Sequence, residues 1–204
     1  MTDSNIRYTF ITGASTGIGY ELSKLFAKDK HNLILVSRNK IKLQSVKNEL
    51  LKYNIDINIK ALTQLTKYFL PKIVECKNGG ILNVASTAAF CSGPRMAAYY
   101  ASKAYVLNLT EAIYEEYKDN GIKISCLCPG PVKTSFQGKA GIKKSEAAKK
   151  YLMDAEEVAK VCYKDFNKGK LIIIPGMKNR LLVMGNKILP RSISRKIILK
   201  TNRK

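Results

Sequence analysis

Two hydrophobic periods alternate along the chain. Residues 7–12, RYTFIT, alternate toward a β-branched end and run straight into the glycine-rich GASTGIG, which reads as strand, turn and then a helix over residues 19–28. Residues 32–37, NLILVS, form a near-continuous apolar run of strand length, as expected of a parallel strand buried on both faces. Ile41, Leu43, Val46, Leu50 and Leu51 then recur at helical intervals to about Tyr53. A second amphipathic helix is predicted over residues 60–76, with Pro71 marking a kink or break near its last turns. GGILNVAS, residues 79–86, reads as turn and strand, and residues 97–118 as a long helix closed by Gly121. A strand over 122–128, a helix over 154–167 and a last strand over 170–174 complete the pattern. Strand and helix in alternation predict an α/β fold, a doubly wound, Rossmann-like parallel sheet flanked by helices.

A chain of 204 residues is most simply one domain with a real core, here residues 1–176, followed by a basic tail over 177–204. The apolar runs are far shorter than the ~20 residues that cross a bilayer. The first residues, MTDSNIRYTFITG, show no secretory signal pattern, so a cytoplasmic location is expected. Five cysteines without disulfide or zinc spacing agree with this, and Cys126 and Cys128, two apart on one strand, read as reduced core thiols.

Charge changes the picture most. The 36 Lys+Arg outweigh 15 Asp+Glu to give +21, and no acidic residue follows Asp165. The tail mixes short apolar clusters with cations on either side of Pro190; it reads as a solvated extension or, more sharply, as a segment for peripheral contact with an anionic membrane. A nucleic-acid-binding domain has charge as its sole support, because no recognition motif or aromatic-rich basic groove accompanies it.

The chemistry-bearing positions lie at the ends of the predicted strands. Gly13, Ser15, Thr16, Gly17, Ile18 and Gly19 fall between strand and helix, where glycines let a backbone approach a pyrophosphate and a helix N-terminus offers N–H groups. An acidic residue at the end of the second strand would bind the ribose 2′-hydroxyl of NAD. The sequence there is Val36-Ser37-Arg38-Asn39, so Arg38 is expected to accept the 2′-phosphate of NADP (NADPH) instead. Tyr99 and Lys103, four apart, share a helix face; Tyr100 is one position off it. His31, in the polar turn KDKHN, is expected to be exposed rather than catalytic.

Together Gly13/Gly17/Gly19, Asn83-Val84-Ala85-Ser86, Tyr99-Tyr100-Ala101-Ser102-Lys103 and Pro129-Gly130-Pro131-Val132-Lys133-Thr134 resemble the short-chain dehydrogenase/reductase family, in its order and spacing. The resemblance implies hydride transfer between nicotinamide and a ketone, aldehyde or secondary alcohol. Tyr99 would be the acid/base, acidified by the neighbouring ammonium of Lys103, which would also hold the nicotinamide ribose. Ser86 would hydrogen-bond the substrate oxygen. The resemblance also implies that Pro129, Gly130, Val132 and Thr134 border the nicotinamide amide, that Asn58 completes the family's tetrad through a water, and that the protein is a homo-oligomer.

The chain departs from the family in its middle. The third strand with its terminal aspartate, the next helix and the fourth strand leading to Asn-Asn-Ala-Gly are missing; residues 54–59 stand in their place. A βαβ unit needs roughly 30 residues. Ile55 to Ile59, alternating Ile-x-Ile-x-Ile, is therefore expected to form one substitute strand, at the sheet edge or in the central gap beside the first strand. Losing the fourth strand opens a second functional reading, a dinucleotide-binding protein with impaired or no catalysis.

Overall fold

The structure, a computed structural model, describes residues 8–12, 14, 17–29, 32–36, 54–133 and 152–202. The chain divides into two compact units, Met1–Ile41 with Pro131–Lys168, and Lys42–Gly130 with Gly169–Lys204.

In the first unit β1 (Tyr8–Thr12) leads into α1 (Gly17–Lys28) and β2 (Asn32–Val36). The two strands pair in parallel, Tyr8 opposite Asn32 and Thr12 opposite Val36, the βαβ arrangement that the two apolar runs predict. The unit also holds the short parallel pair β5 (Val132–Lys133) and β6 (Met153–Asp154), and α4 (Ala155–Asn167). Phe26 of α1 meets Tyr163 and Phe166 of α4 edge to face, with ring centroids 5.0 and 6.1 Å apart. Leu22, Val158, Ala159 and Cys162 are buried with them. Helical spacing on both chains, i and i+4 on α1 and i, i+4, i+8 on α4, turns these apolar faces together.

In the second unit β3 (Gly80–Val84), β4 (Lys123–Leu127) and β7 (Ile172–Ile173) form a parallel sheet in that order. The central strand β4 is buried at four consecutive positions, as a strand covered on both faces must be. Its helices are α2 (Leu62–Cys76), α3 (Ala97–Tyr117), α5 (Met177–Ile188) and α6 (Arg191–Thr201). Val106 and Leu107 of α3 pack with Ala85, Cys126 and Cys128, while Leu70 of α2 packs with Ile113, Ile122 and Ile124. The thiols of Cys126 and Cys128 are buried, free and 3.8 Å apart, in keeping with the core role expected of them.

Two expectations are corrected here. Pro71 does not break its helix; α2 runs through it to Cys76 and is closed by Lys77 in the left-handed region, whose N–H bonds the Val74 carbonyl. More consequentially, residues 55–59 are not a strand. Asn54–Ala61 is a π-helical segment that runs directly into α2. Alternating isoleucines over five residues do not separate strand from helix, and a helical chain needs no strand partner for its backbone. Side chains reinforce the choice: Thr63 Oγ1 donates to the Ile59 carbonyl at 2.7 Å, four residues back, where the wide π turn departs from α-helical bonding. The expected helix over 41–53 lies outside the described residues.

Candidate functional site

The strand-end and helix-start positions of the second unit converge. β3 ends at Val84, and Ser86, extended (φ −172°, ψ 162°), caps a short 3-10 turn, Thr87–Phe90, by accepting from the Ala88 N–H at 3.2 Å. Its hydroxyl also reaches the Pro129 carbonyl at 3.4 Å, and the Thr87 N–H bonds the same carbonyl at 3.0 Å. Ser86 and Pro129, far apart in sequence, are thus fixed at the ends of neighbouring parallel strands. The first turn of α3 brings the Tyr99 side chain to Ser86, close enough for the serine hydroxyl to ease ionisation of the phenol.

The doubled tyrosine divides by role. Tyr99 faces Ser86, whereas Tyr100 lies against Gly93, where any Cβ would collide with its ring, and its hydroxyl comes close to Asn202 beyond α6. Asn202 Nδ2 in turn donates to the Pro94 carbonyl at 3.0 Å. Tyr100 is therefore a packing residue that anchors the 91–96 loop to the end of α6. The two rings meet at 79° with centroids 6.0 Å apart.

Lys103 lies one helical turn beyond Tyr99, with its ammonium 5.9 Å from the Tyr99 ring centre. It donates to the Val84 carbonyl at 3.1 Å. Burial pushes its pKa down to about 8, against the opposing pull of the Cys126 and Cys128 thiols. The acidification expected of Tyr99 is not what the geometry gives: burial raises its pKa, and the Ser86 hydroxyl is the opposing influence. Burial disfavours the charged phenolate, and the Lys103 ammonium donates to the strand-end carbonyl instead.

Asn58, placed by the π-helical segment, donates from Nδ2 to Ser102 Oγ at 3.1 Å, and Ser102 Oγ donates to the Tyr99 carbonyl at 2.8 Å. Asn58 thus reaches the first turn of α3 through Ser102, a residue within the recognised motif that sequence reasoning passed over. Its signal was available, since Ser102 stands three after Tyr99 on the same helix. Two further asparagines carried no sequence signal, Asn202 described above and Asn179 of α5. Asn179 sits where a Cβ on Gly130 would lie and donates from Nδ2 to the Pro175 carbonyl at 2.7 Å.

In the first unit, Gly17 opens α1 at φ 61°, a left-handed conformation that favours glycine. Gly19 follows, its carbonyl accepting from Ser23 Oγ at 2.8 Å. The first turn of α1 carries no acidic side chain, so its N–H groups and dipole fit the phosphates of a dinucleotide. Ile18 is in this first turn and Val132 is buried on β5. Gly13, Ser15, Thr16, Arg38, Thr134 and His31 lie outside the described residues. Among the described residues no cluster of His, Cys, Asp or Glu could hold a metal ion.

The short chain dehydrogenase profile matches residues 7–54 and 47–145, two stretches that overlap at the point where the middle of the chain is short. The chain is 33% identical over 122 residues to Dehydrogenase/reductase SDR family member 6 of Rattus norvegicus, covering 54% of this chain and 50% of that one. It spans half or less of the length of the curated relatives it matches. Among solved structures it resembles a short-chain dehydrogenase from Sphingobium yanoikuyae in complex with NADPH, with TM-score 0.74, 21% identity and coverage of 98% of this chain and 96% of that one. It also resembles a short chain dehydrogenase/reductase from Burkholderia phymatum in complex with NAD, with TM-score 0.68, 18% identity and coverage of 90% and 94%. At these identities the likeness is one of fold, a parallel sheet flanked by helices.

Proposed function

The chain belongs to the short-chain dehydrogenase family, and on that premise we propose that it is an oxidoreductase acting on carbonyl groups and secondary alcohols with a nicotinamide dinucleotide. The observation that carries the reading is the meeting of Tyr99 with Ser86 beside the Lys103 ammonium, with Asn58 bonded into the same turn through Ser102.

Tyr99 gives its phenolic proton to the carbonyl oxygen and takes it back in the oxidative direction. Ser86, beside Tyr99, donates to the same oxygen as negative charge builds on it. Lys103 supplies a cation beside the resulting phenolate once it leaves the Val84 carbonyl, and would bind the nicotinamide ribose. Gly17, Ile18 and Gly19 would hold the pyrophosphate at the start of α1, with Pro129, Gly130 and Val132 bordering the nicotinamide. The nicotinamide, when bound, supplies or accepts the hydride.

NADP is favoured over NAD because the sequence after β2 offers Arg38 and no carboxylate. The likeness to both NADPH-bound and NAD-bound structures supports the class of cofactor. Substrates are small ketones, aldehydes or alcohols, and the active species is a homo-oligomer, as the family resemblance implies.

The test is loss of NADPH absorbance with a panel of ketones and aldehydes, beside direct titration of NADPH and NADH. Turnover, with NADPH bound at least tenfold tighter than NADH, is expected. NADPH binding with no turnover on any member would reject the enzyme and leave a dinucleotide-binding protein; no binding of either nucleotide would reject both.

A further inference from the structure

The α5–α6 pair is built inside out. Met177, Leu181, Met184 and Ile188 recur at i, i+4, i+7 and i+11 along α5, one continuous stripe about 16 Å long. These four side chains are 68%, 60%, 59% and 83% exposed. A helix packed on its own protein turns such a stripe inward. Here the inward face is largely polar instead. Asn179 donates to the Pro175 carbonyl, Arg180 Nε donates to the Ile174 carbonyl at 2.9 Å, and Ser194 Oγ of α6 donates to Asn186 Oδ1 at 3.0 Å. Val183 is the one α5 side chain fully buried, and α5 rests on the 3-10 turn that follows Ser86. On α6, Ile193 and Ile197, one turn apart, are likewise exposed.

We propose that this helical pair docks on the surface of an anionic lipid bilayer, with the α5 stripe inserted among the acyl chains at the headgroup boundary. Charge selects this occupant. From Met177 onward the sequence carries nine Lys and Arg and no acidic residue. Lys178 and Lys187 flank the stripe, and Arg191, Arg195, Lys196 and Lys200 lie on α6. A second copy offering the same face would set Lys and Arg against Lys and Arg, with no carboxylate anywhere in the stretch to pair with them. Nucleic acid would satisfy the cations but leave the methionine, leucine and isoleucine stripe in water. An anionic bilayer answers both, apolar below and negative at its surface. Because α5 stands on the turn after Ser86, docking would set that turn close to the lipid.

The experiment is co-sedimentation of the full chain with vesicles of phosphatidylcholine containing about a third phosphatidylserine, beside pure phosphatidylcholine, at low and high salt. Binding to the anionic vesicles alone, lost at high salt, is expected, with a loss of roughly fivefold in partitioning for each cation replaced by glutamine. Replacing Leu181→Glu and Ile188→Glu together is expected to cut binding at least tenfold with an unchanged circular dichroism spectrum. These positions are solvent-exposed, so the fold tolerates the charge. The chain contains no tryptophan, so Ile188→Trp provides a single reporter whose emission is expected to shift to the blue on anionic vesicles. Absence of binding at low salt, binding indifferent to the paired glutamates, or a tryptophan spectrum unmoved by vesicles would each overturn the proposal. So would a stable dimer that the paired glutamates dissociate, since a second copy would then own the stripe. None of these readouts depends on turnover.

Discussion

The first turn of α3 and the π-helical segment Asn54–Ala61 hold the two ends of one side-chain chain, yet they are determined in opposite ways. In the α3 turn the positions of Tyr99, Ser102 and Lys103 are dictated by local spacing on a long, well-buried helix, and Ser86 is brought to them by strand pairing. The π-helical segment has little of its own to dictate its form. It is held by what touches it: Asn58 bonds Ser102 of α3, and Thr63, at the start of α2, bonds both the Ile59 carbonyl and Tyr105 of α3. The abbreviated part of this chain borrows its geometry from the intact part.

The largest expected effect breaks the comparison inside α3 itself. Tyr99→Phe is expected to lower kcat at least 10²-fold, by removing the transferred proton, while Tyr100→Phe leaves kcat within about threefold and lowers the melting temperature by a few degrees, by removing the hydroxyl beside Asn202. Steady-state kinetics with thermal melts of both variants checks this. Equal loss of kcat from the two would reject Tyr99 as the proton donor.

Next in size is the link between the two regions. Asn58→Ala leaves Ser102 its bond to the Tyr99 carbonyl but removes the partner that orients it. A fall of roughly tenfold in kcat is expected with KM little changed, since the loss is one of positioning. If KM rises instead and kcat holds, Asn58 serves substrate or cofactor binding and the π-helical segment has a more direct part than α3 gives it.

Lys103 tests the α3 side through pH. Its folded pKa, lowered to about 8 by burial, lies below the ordinary lysine value of 10.5, so the unfolded chain holds the proton more tightly. Stability therefore rises as pH climbs from about 8 toward 10.5, and the penalty of the buried ammonium is fully present below pH 8. Lys103→Met lacks this dependence. The difference in melting temperature between wild type and Lys103→Met is expected to move in favour of wild type between pH 7 and pH 10; a constant difference would place the ammonium in water.

These contrasts also explain what the sequence could reveal. Strand β1, helix α1 and strand β2, the parallel sheet around β4, and the meeting of Ser86 with Tyr99 were legible because each rests on a period or a motif whose neighbours agree with it. The form of residues 55–59 was not, because an Ile-x-Ile-x-Ile run satisfies strand alternation locally while the deciding contacts come from residues forty and more positions away. The direction of Lys103 escaped for a similar reason: spacing sets it one turn from Tyr99, but the Val84 carbonyl at the end of β3 decides where the ammonium points. Nor did charge alone reveal that the basic stretch after residue 176 folds into α5 and α6, whose helical period is plain once Met177, Leu181, Met184 and Ile188 are seen as one stripe.

The smallest expected effect is at Thr63. Thr63 Oγ1, in the first turn of α2, makes two bonds, one back into the π-helical segment at the Ile59 carbonyl at 2.7 Å and one across to Tyr105 Oη of α3 at 2.8 Å. Thr63→Val keeps the shape and removes both, while Tyr105→Phe removes the second alone. If the π-helical segment takes its form from α3, the bond across is the larger share, and each variant costs about 1 kcal/mol. The double variant should then cost little more than Thr63→Val, a coupling of at least half a kcal/mol in a double-mutant cycle from chemical denaturation. Additive losses would mean that the bond to Ile59 holds the turn by itself and that the segment does not depend on α3 at this point.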